Sequence, residues 1–154
     1  MNCWKCNTEM RTEEKNVRYH ALPNVTLGNV PVHECPDCGE RQVEIPRIEE
    51  LNELLAKHLV EMDRHFTGQE VRFLRKYLDK SGRELARAMG VQPETVSRWE
   101  NDKATMNEQA ERLLRMMVAE DTSIIDTFPE EFAAPDADAW LKAQARNGEW
   151  RAAG

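Results

Sequence analysis

The sequence predicts an α+β chain, with a small cysteine-bearing β unit followed by an all-α unit. Three observations predict it. All four cysteines fall in two C-x-x-C pairs, Cys3/Cys6 and Cys35/Cys38. The stretch between the pairs is rich in β-type residues. From residue 46 to 118, apolar residues recur at i+3 and i+4 steps.

The chain has 154 residues and a formal net charge of −7, with 40% hydrophobic and 32% charged residues. That composition suits one globular domain or two small ones. Its apolar runs are too short for a membrane span, and "MNCWKCNTEM" lacks the apolar core of a secretory signal. A cytoplasmic protein with no membrane partner is expected. The acidity argues against nonspecific coating of nucleic acid, but the charge is uneven. Residues 67–104 hold 8 Lys/Arg against 6 Asp/Glu, whereas residues 1–66 hold 8 against 12 and residues 119–154 hold 3 against 8.

Residues 1–45 form the predicted β unit. "NVRYHAL" and "GNVPVHEC" read as short strands, with Pro23 and the Gly28-Asn29 pair as breaks between them. A C-x-x-C turn presents two thiolates on one side of the backbone, and four thiolates complete a closed tetrahedral shell around Zn²⁺. Gly39 and Asn7, one residue past each pair, suit the positive φ of such turns. One structural Zn²⁺ per chain on Cys3, Cys6, Cys35 and Cys38 is expected, in a zinc-ribbon-like sheet. Redox use and disulfides are the competing readings. The first lacks a βαβ context and the second is disfavoured in a reducing compartment. His20 and His33 are spare potential ligands beside a shell already complete.

Residues 46–66, "PRIEELNELLAKHLVEMDRHF", read as a linker helix with Pro46 in its first turn. Residues 67–118 read as several short helices. Thr67–Glu70 and Ser81–Glu84 have the S/T-x-x-E form of a capping box. Gly90 suits a left-handed helix stop, Pro93 a helix start, and Asn107 caps the helix to Glu120. Residues 119–154 read as an acidic, partly irregular tail with a short helix over Ala137–Arg146. Its net charge of −5 predicts that it points away from DNA or competes with it.

"SGRELARAMGVQPETVSRWEND" is therefore helix, turn, helix. Val96 and Trp99 share an inward face. Glu94, Thr95, Ser97 and Arg98 form the candidate base-reading set on the second helix. Arg98 is suited to a bidentate pair with guanine. Ser81, Arg83, Arg87 and Lys103 are placed to hold phosphates. Periodicity alone leaves a purely structural helix pair, with Arg98 a solvated surface arginine, equally open.

"ELARAMGVQPETVSRWEND" resembles the helix-turn-helix of the Cro-like (XRE) repressor family, usually written ELA…GV…TVSRWENG. The resemblance implies that Gln92, Glu94, Ser97 and Arg98 lie nearest the bases, and Ser81 and Lys103 by the phosphates. Asp102 stands where the family has Gly. Residues 1–118, with two C-x-x-C pairs ahead of this motif, are similar to the MqsA-type (YgiT-type) zinc-finger antitoxins. That resemblance implies a toxin-binding zinc domain and a dimeric DNA-binding domain that represses its own operon at a palindromic operator. "CWKC" lacks the family's usual proline, Asn7 replaces a common glycine, and the acidic tail is longer than usual.

No GxSxG, HExxH or glycine-rich phosphate loop is present, so no enzyme is expected. A regulator without a toxin and a zinc adaptor that does not bind DNA are the alternative readings. The dimer seam is expected on the helix carrying Leu113, Leu114, Met116, Met117 and Val118, or on the helix from Ile48 to Met62.

Overall fold

The computed structural model describes residues 1–121 and the backbone of two further strands, Leu141–Arg146 and Glu149–Ala153. The fold is α+β. Contacts divide the chain into two compact units, Met1–Leu51 with Trp140–Gly154, and Asn52–Ala139.

The first unit is a five-stranded sheet built on β2 (Val25–Glu34). One edge of β2 pairs antiparallel with β1 (Arg11–Arg18). The other edge is shared. β3 (Arg41–Val43) pairs antiparallel with Val32–Glu34. β4 (Leu141–Arg146) pairs parallel with Val25–Gly28, and β5 (Glu149–Ala153) pairs antiparallel with β4.

Gly28-Asn29 lies inside β2 and is not a break between strands. Lys15 pairs with Val30 and Val17 with Leu27, so β2 carries one extra residue there, and Asn29 takes a φ of 56°. A one-residue bulge switches the face on which side chains fall. That switch explains why Val25 and Leu27 before it, and Val30 and Val32 after it, are all buried.

A second correction concerns the C-terminal segment. A helix was expected over Ala137–Arg146, but Leu141–Arg146 is a strand. Leu, Lys, Ala, Gln and Arg favour helix locally; the free edge of β2 offers backbone partners that override this preference. Residues 137–140 and the remainder of the acidic stretch from 122 lie outside the described residues, as does its suggested relation to DNA.

The helices follow as α1 (Ile48–Glu61), α2 (Gly68–Tyr77), α3 (Gly82–Met89), α4 (Pro93–Glu100) and α5 (Glu108–Asp121). Pro46 precedes α1 in a turn instead of occupying its first turn, because Arg47 takes a φ of 48°. Both capping boxes form, with Thr67 and Ser81 as N-caps and Glu70 and Glu84 reaching back. Asn107 caps α5 by accepting from the Ala110 amide at 2.8 Å.

Leu55, Leu59, Val71, Phe73, Leu74, Leu85, Val96, Trp99, Leu114 and Val118 are buried in the helical unit. Buried carboxylates are paired throughout. Glu70 receives both terminal nitrogens of Arg64, at 2.7 and 2.9 Å. Glu111 accepts from the Phe66 amide at 3.0 Å. Arg115 stacks over Phe66, 4.2 Å from the ring centroid, and donates to the carbonyls of Val60, Met62 and Arg64 at 2.7–3.0 Å. It thereby satisfies the orphan carbonyls at the end of α1 and ties α1 to α5.

The tightest junction lies between α2 and α4. A Cβ on Gly68 would sit 2.5 Å from the Glu100 carbonyl oxygen and 2.8 Å from that of Trp99. The Gly68 amide donates to the Asp102 carboxylate at 2.7 Å. Gly68→Ala therefore sets helix propensity, which favours Ala, against a backbone clash. The clash is expected to win, with a loss of roughly 1–3 kcal/mol. Thermal unfolding of the full chain checks it, and an unchanged or raised Tm would refute the close approach.

Candidate nucleic-acid interface and metal centre

The helix-turn-helix is set by local sequence. α3 ends at Gly90, whose φ is 68°, and the Val91 amide returns to the Ala86 carbonyl at 3.0 Å. Proline at the first position of α4 restarts the helix three residues later. Leu85 and Ala86 of α3, and Val96 and Trp99 of α4, are at most 5% exposed. α4 thus has one core side.

The other side carries the candidate base-reading residues. Gln92, Glu94, Ser97 and Arg98 are exposed, and Thr95 is half-buried. Asn101 donates its side-chain amide to the Ser97 carbonyl at 2.7 Å and to the Ser97 hydroxyl oxygen at 3.4 Å. The candidate phosphate contacts Ser81, Arg83, Arg87 and Lys103 are also exposed. Ser81 has a structural duty as well, since its hydroxyl oxygen accepts from the Glu84 amide at 3.1 Å. Hydrogen bonds from Ser81 hold the Glu84 carboxyl below the usual carboxylate range. The Lys103 amide folds back onto the Arg98 carbonyl at 2.9 Å, which fixes the start of the loop after α4.

Hydrogen bonding sorts the cations of residues 67–104 into two groups. Arg75 and Arg72 both bind Glu100, whose side chain is 9% exposed. Lys76, Lys80, Arg83, Arg87, Arg98 and Lys103 make no side-chain hydrogen bond or ion pair among the described residues. Lys76 and Lys80 were not among the sequence candidates. Their place in the one positively balanced segment was the available signal.

The four cysteine Sγ atoms lie within 4.8 Å of one another. Cys6 is 3.3 Å from Cys35 and 3.6 Å from Cys38, and Cys3 is 3.5 Å from Cys38. A disulfide requires about 2.05 Å. Four sulfurs about 2.3 Å from a tetrahedral zinc would be spaced by roughly 3.8 Å. The observed spacings are near the second figure.

Two equivalent turns present the sulfurs. The Asn7 amide returns to the Cys3 carbonyl at 2.8 Å and the Gly39 amide to the Cys35 carbonyl at 3.1 Å, with φ of 62° and 73° at Asn7 and Gly39. A Lys5–Glu40 ion pair joins the two turns. Hydrogen bonds from Thr8 lower the Cys6 thiol to about 6. At Cys38 a Glu40 backbone hydrogen bond acts downward, but desolvation and the adjoining sulfurs outweigh it and push the thiol up to about 12. Sulfurs this close cannot all carry charge without a cation, and a divalent ion supplies that charge. The donor set and its spacing fit a metal ion. Cys3, Cys6, Cys35 and Cys38 would hold it, leaving no protein-free position in a tetrahedral shell.

His33 is not drawn into this cluster. Its ring nitrogens lie 2.8 Å from the Thr12 hydroxyl and 3.1 Å from a Glu44 carboxylate oxygen, so the ring bridges β1 to the residue after β3. His20 instead packs edge-on against Tyr19. Among the described residues, no helix is long and apolar enough to cross a membrane.

No curated protein matches the chain. Residues 71–116 match the model of a helix-turn-helix family, a span that runs from the first turn of α2 into α5 and contains α3 and α4 whole. An XRE-type helix-turn-helix domain therefore occupies residues 71–116, and it supports a DNA-binding transcription regulator with a cysteine cluster ahead of the domain.

Proposed function

We propose that the chain is a homodimeric, zinc-bearing repressor that acts without enzymatic activity in the cytoplasm as the antitoxin of a toxin–antitoxin pair. It binds a palindromic operator, silences its own operon and neutralises a protein toxin. One observation carries the DNA side of the reading: α4 buries Val96 and Trp99 while leaving Glu94, Ser97 and Arg98 outside. Arg83 and Arg87 on α3 and Lys103 after α4 are exposed cations that would serve phosphates, with Gln92 and Thr95 as further base-reading candidates.

Two C-x-x-C pairs ahead of the helix-turn-helix support the antitoxin part, through the family resemblance. Dimerisation rests on a narrower surface than the sequence suggested. Leu114 and Val118 belong to the core of the chain, whereas Leu113 and Met116 are 36% and 61% exposed, three residues apart on α5. On α1, Leu51, Leu55 and Leu59 are buried and Ile48 is 42% exposed. The α5 pair is the better seam for a two-fold dimer, which one helix-turn-helix per half-site requires.

Arg98→Ala is expected to erase preference for the DNA upstream of the chain's own gene without changing the fold. Lys103→Ala is expected to weaken all duplexes alike and to shallow the salt dependence by about one unit of log–log slope. Fluorescence anisotropy across a salt series separates the two. Equal affinity of wild type and Arg98→Ala for that DNA would remove α4 as the reading helix.

Elemental analysis is expected to find one zinc per chain, with thiols that react only after chelation. Cys38→Ser is expected to release the metal yet spare the helical unit, which has its own core. Freely reactive thiols with no stoichiometric metal would overturn the zinc assignment. For the toxin, expression of the adjacent gene alone is expected to arrest growth. Coexpression of this chain is expected to restore it, with both products in one complex and two copies of this chain by light scattering. A neighbour without toxicity or binding would leave a stand-alone regulator.

A further inference from the structure

Glu94 and Arg98 stand four residues apart on α4, with the acid N-terminal to the base. That is the favourable order for a helical ion pair. The same arrangement closes on α5, where Arg112 binds Glu108 at 2.6 Å. The Glu94 and Arg98 side chains make no hydrogen bond or ion pair with each other or with any described residue. An exposed pair of this kind is weak, so keeping it open costs little. The result is a free carboxylate and a free guanidinium on one face.

The neighbouring Ser97 is not equivalent. Asn101 donates to its hydroxyl oxygen at 3.4 Å, and Asn101 is itself held by Arg72 at 3.5 Å. With that oxygen already accepting once, the hydroxyl keeps one proton and one lone pair and carries no charge. A guanidinium donates only, and an ionised carboxylate accepts only. Among these three groups, Glu94 alone is an ionised, pure acceptor, the strongest match for an amino group on a base edge.

The major groove offers two such amino groups, cytosine N4 and adenine N6. On adenine the amino group sits beside N7, an acceptor that would face the carboxylate and repel it. Cytosine shows the amino group without that acceptor. Four residues advance an α-helix by about 6 Å, and base pairs are spaced by about 3.4 Å. The two side chains therefore fall within roughly two base-pair steps of each other.

We propose that Glu94 is a specificity-determining residue that accepts from the N4 amino group of a cytosine in each half-site, with the guanine held by Arg98 no more than two base pairs away. The proposal rests on the DNA-reading role given to α4 above. It assigns Glu94 a positive choice of cytosine and a repulsion of adenine, thymine and guanine at one position.

Selection from a randomised duplex library with the full chain tests it, using wild type, Arg98→Ala, Glu94→Gln and Glu94→Ala, each checked for an unchanged unfolding midpoint. Wild type is expected to select one cytosine near one guanine. A glutamine both donates and accepts, which suits adenine. Glu94→Gln is therefore expected to exchange that cytosine for adenine, by roughly tenfold in relative affinity, and to keep the guanine. Glu94→Ala is expected to lose the preference at that position alone. If Arg98→Ala erases the guanine while Glu94→Gln changes no position, the cytosine assignment falls and the DNA-reading role stands. A wild-type chain that selects no sequence overturns both.

Discussion

The placement of α4 depends on one backbone contact, the approach of Gly68 at the start of α2 to the end of α4. Glycine lets the two backbones meet. Asp102, at a φ of 55°, turns the chain away from α4 and places its carboxylate on the first amide of α2. A left-handed conformation is unfavourable for a residue with a Cβ, and least so for Asp and Asn. A carboxylate at a helix N-terminus, bonded to a free amide, offsets that cost. Glu100, on the last turn of α4, is meanwhile drawn to Arg72 and Arg75 of α2. Two carboxylates at one end of α4 thus bind donors on α2. Because Val96 and Trp99 fix its inner side, the outward direction of Glu94 and Arg98 follows.

The same linkages reshape the electrostatics of an acidic chain. Residues 67–104 contain six acids, and four of them are engaged internally. Glu70 binds Arg64, Glu84 binds its own cap, Glu100 binds two arginines and Asp102 binds the Gly68 amide. Of the eight cations in the segment, Arg72 and Arg75 are used in this way. The side chains of the remaining six make no hydrogen bond or ion pair among the described residues. Outside the arginine–carboxylate pairs, these six cations face the four exposed acids Asp79, Glu84, Glu94 and Asp102, so the outer balance keeps the +2 of the formal 8 against 6. Screening over about 8–10 Å at physiological salt makes this local field matter more to a nearby phosphate than the net charge of the whole chain.

What was legible in the sequence was local. Both capping boxes, the Gly90 stop, Pro93, Asn107 and the inward Val96/Trp99 pair depend on neighbours three or four residues away, and the structure has them all. The two cysteine turns were legible because positive φ at Asn7 and Gly39 is a backbone requirement of the motif. The rest needed distant partners. Nothing near Asp102 announces the Gly68 amide, 34 residues away. Gly28-Asn29 reads equally well as a break or as a bulge until β1 supplies the register. "LKAQAR" favours helix until β2 offers an edge. One local clue was passed over: Asn147-Gly148 lies between the paired Arg146 and Glu149, and Asn-Gly between two strands is the strongest short hairpin signal.

β2 also explains how so small a sheet is supported. Its C-terminal end runs directly into Cys35, and its N-terminal four residues pair with β4. The cysteine cluster buries little besides Cys3, Cys35 and Met10, too little apolar surface to hold that end by hydrophobic burial alone. A metal bound by four thiolates would contribute there the cross-linking that a core supplies elsewhere. At the opposite end, β4 and β5 satisfy backbone groups that would otherwise form an open edge. The bulge between the two ends keeps Val25, Leu27, Val30 and Val32 on one face. The strand can therefore join a site dependent on side-chain chemistry to a hairpin dependent on backbone pairing without exposing its apolar residues.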